Sequence, residues 1–110
     1  MTLISDFNYR QYCKDFIVDV LARPKMYFQT IDELESIMRG HQVAFDQIGA
    51  IGDGKTFHGC FSDWVFNKYQ VSCSSGWAYA IKVISCDQGV EPIDLFSDYI
   101  DIFFSEWIQA

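Results

Sequence analysis

The chain has 110 residues, half of them hydrophobic and 17% aromatic, with 8 basic residues against 15 acidic ones and a formal charge of −7. That length suits one domain, residues 1–110, with a packed core of its own, and the aromatic content excludes a disordered chain. Phosphate backbones need a basic footprint, so nucleic acid is disfavoured as a direct ligand and a basic protein suits the charge better as a partner.

The start of the chain lacks the basic stretch and apolar run of a secretory signal, and no segment reaches the roughly 18 apolar residues of a membrane span. A cytosolic protein is expected. Cys13, Cys60, Cys73 and Cys86 are then reduced thiols. None forms a Cys-x-x-Cys pair, so neither a zinc site nor any other cofactor is expected.

In chain order, Ser5 or Asp6 can cap a first helix that runs to about Arg23, because Pro24 disfavours helical geometry just before it. Tyr9, Tyr12, Cys13, Phe16, Ile17, Val20 and Leu21 form its apolar face. A proline-marked connector follows, and Tyr27 or Phe28 should tuck under its neighbours. Thr30-x-x-Glu33 is a capping box, opening a helix whose apolar line is Ile31, Leu34, Met38, His41, Phe45 and Ile48 and which stops at Gly49.

Residues 50–56, with Gly52-Asp53-Gly54, form a loop without the spacing of a phosphate-binding one. A third helix is expected from about Cys60 to Tyr69, then a serine-rich turn over residues 72–75. Residues 76–85 read two ways: Trp77, Ala80, Ile81 and Ile84 suit a helix, whereas Trp77, Tyr79, Ile81 and Val83 alternate as in a strand. The alanines and the serine caps favour a helix, and its apolar character nearly all round makes it the central, most buried element. Pro92 then opens a terminal helix at a first-turn position that does not need its missing amide. The sum is an all-α fold, an irregular bundle of about five helices.

The terminal helix is sharply two-faced. At about 100° per residue, Ile93, Phe96, Ile100, Phe103 and Trp107 fall on one line, and Glu91, Asp94, Asp98 and Asp101 on roughly the opposite one. No lysine or arginine follows Lys82, and like charges at this spacing repel by about 0.2 to 0.5 kcal/mol per pair. Two readings stay open: a solvated face that keeps an apolar protein soluble, or a docking face for a basic partner. Tyr99 and Ile102 flank the acidic line as candidate anchors, with Trp64 a third if it is exposed.

Catalytic signatures are weak. His41 sits in an apolar helical line, and His58-Gly59-Cys60 places an imidazole near a thiol without the flanking residues of a thiol protease. The carboxylates form a line, not a facing acid and base pair.

Arg23-Pro24-x-Met26-Tyr27 after a first helix, Phe61-x-x-Trp64, Gly76-Trp77-Ala78 and the acidic, phenylalanine-rich last helix together resemble small bacterial immunity proteins. These accompany polymorphic toxins, including those of contact-dependent growth inhibition. The resemblance spans about residues 9 to 107. It implies a cytosolic, non-enzymatic inhibitor of a toxin domain, commonly a nuclease with a basic groove, with Glu91, Asp94, Asp98, Asp101, Tyr99 and Ile102 as the contact surface. The alternatives are an all-α adaptor or dimerisation module and, less favoured, a small enzyme using His58 and Cys60. A homodimer is compatible with either of the first two.

Overall fold

The computed structural model describes residues 8–49, 51 and 56–109, and four of its longer helices start where a side chain accepts a free first-turn amide. Helix α1 (Tyr9–Ala22) opens at Asn8, whose side chain accepts the Gln11 amide at 3.1 Å; Ser5 and Asp6 lie outside the described residues. It buries Tyr9, Cys13, Ile17 and Val20. The connector holds one helical turn, α2 (Pro24–Tyr27), and of its two aromatic side chains Phe28 is the one that tucks in, Tyr27 remaining exposed.

Helix α3 (Ile31–Gln47) carries the expected capping box, with Thr30 and Glu33 bonding reciprocally to each other's backbone amides at 3.2 Å. Its apolar line is buried at Ile31, Leu34 and Met38 but fades through His41 and Phe45 to an exposed Ile48. Helix α4 (Phe57–Tyr69) begins earlier than expected, at Phe57, because Thr56 accepts the Gly59 amide and the Tyr9 hydroxyl accepts that of Phe57, both at 3.1 Å. Gly52, Asp53 and Gly54 of the expected loop lie outside the described residues.

Residues 76–85 resolve as helix: α5 is Trp77–Gln88, and α6, Pro92–Trp107, follows it. No strand occurs among the described residues. The architecture is the all-α bundle expected, with five longer helices and one short turn between the first two among the described residues. Helix α5 is central, packing against α3, α4 and α6. It is not buried all round, however: Tyr79 and Val83 are 48% and 42% exposed, because three neighbours cover one side of a helix and nothing described covers the other.

The serine caps expected for α5 are also corrected. Ser72 bonds Ser74 instead, and the Ala78 amide is taken at 3.1 Å by Glu35 of α3, a carboxylate reaching across from a neighbouring helix. Gly76 makes room for it. Its backbone, at φ 98° and ψ 153°, lies in a region essentially reserved for glycine, and a Cβ there would stand 2.6 Å from a Glu35 carboxylate oxygen.

The core is built from rings. Trp77, Phe57, Phe61 and Phe96 are fully buried. Trp77 stacks on Phe96 with centroids 5.0 Å apart, and Phe61 meets both edge-on at 5.5 and 5.7 Å. At the far end Arg10 of α1 donates to the Trp107 carbonyl and lies 5.1 Å over its ring, fastening the first helix to the last.

Replacing Gly76 with Ala should destabilise the protein by about 1 to 3 kcal/mol through backbone strain and collision with Glu35, and Glu35→Ala by about 1 kcal/mol through the lost cap. Urea denaturation of both singles and the double should show a double that costs less than the sum, since removing the carboxylate removes the collision.

Candidate functional site

Helix α6 buries Leu95, Phe96, Tyr99, Ile100, Phe103, Phe104 and Trp107, a stripe at helical spacing that contacts the rings of α4 and α5. Rotation of α6 is thereby fixed, and Asp94, Asp98 and Asp101 point to solvent in line with Glu91, its N-cap residue. At 1.5 Å of rise per residue the four carboxylates span about 15 Å.

Among the described residues none of the four forms an ion pair. The pairs that do form lie elsewhere: Arg39–Glu35 at 3.7 Å, Lys68–Glu106 at 3.0 Å and Lys82–Asp32 at 2.7 Å. Glu91 and Asp94 sit at the helix N-terminus, where the backbone dipole favours a negative charge by about 0.3 to 1 kcal/mol. Asp98 and Asp101 lie beyond that first turn, so among the described residues no ion pair or helix terminus offsets their repulsion. Glu106, on the same helix, is the contrast: hydrogen bonds from Lys68 at 3.0 Å and Trp64 at 3.1 Å hold its carboxyl below the usual range.

The flanking residues divide. Ile102 is 45% exposed and borders the ridge. Tyr99 is a correction: it is 7% exposed and stacks on Tyr69 of α4 at 4.3 Å, with Trp64 edge-on at 5.9 Å, so its ring is not presented to a partner. Leu95, Tyr99 and Phe103 continue one another at helical spacing, and α4 covers that side. Trp64 is half-buried, bonded to Glu106 and lying under the Lys68 ammonium at 5.0 Å.

The histidines serve the core. His58 is buried, and its Nδ1 accepts the Trp77 indole N–H at 2.7 Å. That bond requires a neutral ring protonated on Nε2. Burial first, and then the charge of Arg39, lowers its pKa to about 4, and its one lone pair, on Nδ1, is taken by the Trp77 indole and is not open to a substrate. His41 Nδ1 bonds the Tyr12 hydroxyl at 2.9 Å beside Phe16 and Phe45, and burial lowers its pKa too. Burial raises the Cys13 thiol to about 12, well away from a reactive thiolate. Among the described residues no three His, Cys, Asp or Glu side chains are placed to hold a metal ion, and no helix is long and apolar enough to cross a membrane.

A second surface feature escaped sequence reasoning. An open groove of about 800 Å³ lies along the uncovered side of α5, lined by Tyr69, Val71, Tyr79, Val83, Cys86 and Asp87 among others. The strand-like alternation of Tyr79, Ile81 and Val83 was its trace: on a helix, that pattern leaves apolar residues on the outside as well as the inside. Compared with known families, curated proteins and solved structures, the chain matches none.

The pH response of stability should report the indole–imidazole bond. The unfolded chain takes up the His58 proton near pH 6.5 and the folded chain only near 4. This contribution is therefore complete above 6.5 and is lost as pH falls from 6.5 to 4, by about 3 kcal/mol. His58→Gln keeps an acceptor for Trp77 but cannot titrate. Urea denaturation over that pH window should show a shallower loss of stability in the variant than in the wild type.

Proposed function

We propose that this chain is an immunity protein, one that binds and neutralises a partner toxin domain with a basic surface, a nuclease by preference, by docking on the Glu91, Asp94, Asp98 and Asp101 ridge. The observation that carries this reading is the unpaired state of those carboxylates on a rigid helix among the described residues, while Lys68 and Lys82 are engaged with other acids. Asp98 and Asp101 repel each other with no dipole to offset it, and a cationic partner would relieve that repulsion on binding. Long-range attraction between such a ridge and a basic groove speeds encounter and selects the partner by charge, and both serve an inhibitor that must act before damage accumulates. The exposed Ile102 at the ridge's edge supplies apolar contact beside the charges.

A second reading, an all-α adaptor or dimerisation module, draws on the apolar exposure of Tyr79 and Val83. An obligate assembly of that kind would stay associated on dilution in sedimentation.

The ridge is tested with the product of the reading frame next to this chain's gene, which on this reading should be a toxin-like domain; a metabolic gene in that place would count against it. Wild-type protein should restore growth to cells producing that domain and should bind it with an affinity that falls steeply with salt. The triple variant Asp94→Lys, Asp98→Lys, Asp101→Lys should keep the helical spectrum, bind at least about a hundredfold more weakly and lose most of the salt dependence. Unchanged affinity at low salt removes the ridge as the docking face.

A further inference from the structure

The groove on α5 joins apolar walls to an anionic rim. Tyr79, Val83 and Cys86 recur at helical spacing along it, with Tyr69 and Val71 opposite. Lys82 is the cation among its lining residues, and Asp32 engages it at 2.7 Å. Asp87, also in the lining, forms no ion pair among the described residues. From Asp87 the chain turns through Gly89 and an exposed Val90 into Glu91, so the acidic ridge begins where the groove ends. Tyr69 of the groove stacks on Tyr99 of α6 at 4.3 Å, which sets the Asp98 and Ile102 flank of α6 beside the same end.

We propose that this groove receives a cationic amphipathic helix of a protein partner, its apolar side chains seated between Tyr79, Val83 and Val71 and its lysines or arginines over Asp87 and Glu91. The proposal rests on the reading of the partner as basic and adds the segment by which it is held. Helix-in-groove recognition places anchors at i, i+3, i+4 and i+7, and a groove of about 800 Å³ is of a size to take several such side chains. Charge selects among occupants. A second copy of this chain brings the same −7 and the same anionic rim, and an anionic ligand meets Asp87 with no free cation beside it among the lining residues.

The probe is a designed fluorescent helical peptide with leucines at that spacing and lysines flanking them, compared with one carrying glutamates for the lysines and one carrying serines for the leucines. Anisotropy should show the first binding at least about tenfold more tightly than either control, and amide shifts should centre on residues 69–71 and 79–88. Val83→Glu is the discriminating variant, because it adds a charge attractive to the peptide while spoiling the apolar wall. The groove predicts binding at least about tenfold weaker. Unchanged or tighter binding overturns the proposal, since charge alone would then explain the contact. Tyr79→Ser, also at an exposed position, repeats the test should Val83→Glu lose its helical spectrum.

Sedimentation showing wild-type dimers that Val83→Glu dissociates would assign the groove to a second copy and overturn the proposal as well. The two surfaces fail separately with the toxin-like domain. If ridge reversal weakens its binding and Val83→Glu does not, the groove alone is rejected; if Val83→Glu weakens it and ridge reversal does not, the ridge falls and the groove stands.

Discussion

A buried indole that finds no acceptor for its N–H costs about 1 to 3 kcal/mol, and in this protein three helices are organised around the acceptor that Trp77 finds. Trp77 has no exposed surface, and its donor reaches His58 on α4. Its ring face lies against Phe96 of α6. One residue on, the Ala78 amide is held by Glu35 of α3. Two adjacent residues at the start of α5 therefore position α3, α4 and α6, and the chemistry at each contact admits few substitutes: a neutral imidazole, a flat ring, and a carboxylate beside a glycine.

The outer surface follows from that arrangement. Once Phe96 and Phe103 are locked against Trp77 and Phe61, α6 has no rotational freedom, and Asp94, Asp98 and Asp101 face outward because the opposite side is occupied by rings. Turning the helix by one residue would carry carboxylates toward that interior at a desolvation cost far above any gain in packing. The groove arises in a similar way. With α3, α4 and α6 gathered around one side of α5, the described structure contains nothing to cover the other, and Tyr79 and Val83 remain outside.

Periodicity made the helices legible wherever a single apolar stripe dominates. The line from Phe96 to Trp107, the Thr30–Glu33 box and the proline at the start of α6 all appear in the fold as local sequence chemistry dictates. Contacts between distant residues were not legible. The acceptors for the first-turn amides of α4 and α5 include Tyr9 and Glu35, 48 and 43 residues away from their partners, and no local pattern announces them. Tyr99 shows the same limit on a finer scale: a helical wheel leaves it at the edge of the buried stripe, and only the position of Tyr69 decides that it is covered. The acidic line of the candidate site could be read from spacing, whereas its lack of partners among the described residues depends on where Lys68 and Lys82 point, a property of the assembled chain.

The placement of α6 also bears on how the protein comes into being during translation. Phe57, Phe61 and Trp77 emerge from the ribosome well before Phe96, Phe103 and Phe104, the rings that shield them, and Arg10 must wait for the Trp107 carbonyl. A nascent chain that still lacks α6 thus exposes a cluster of aromatic side chains that α6 covers in the fold, a species prone to aggregation. Cooperative folding has to await synthesis of α6, so the acidic ridge and the closed core are completed in the same step.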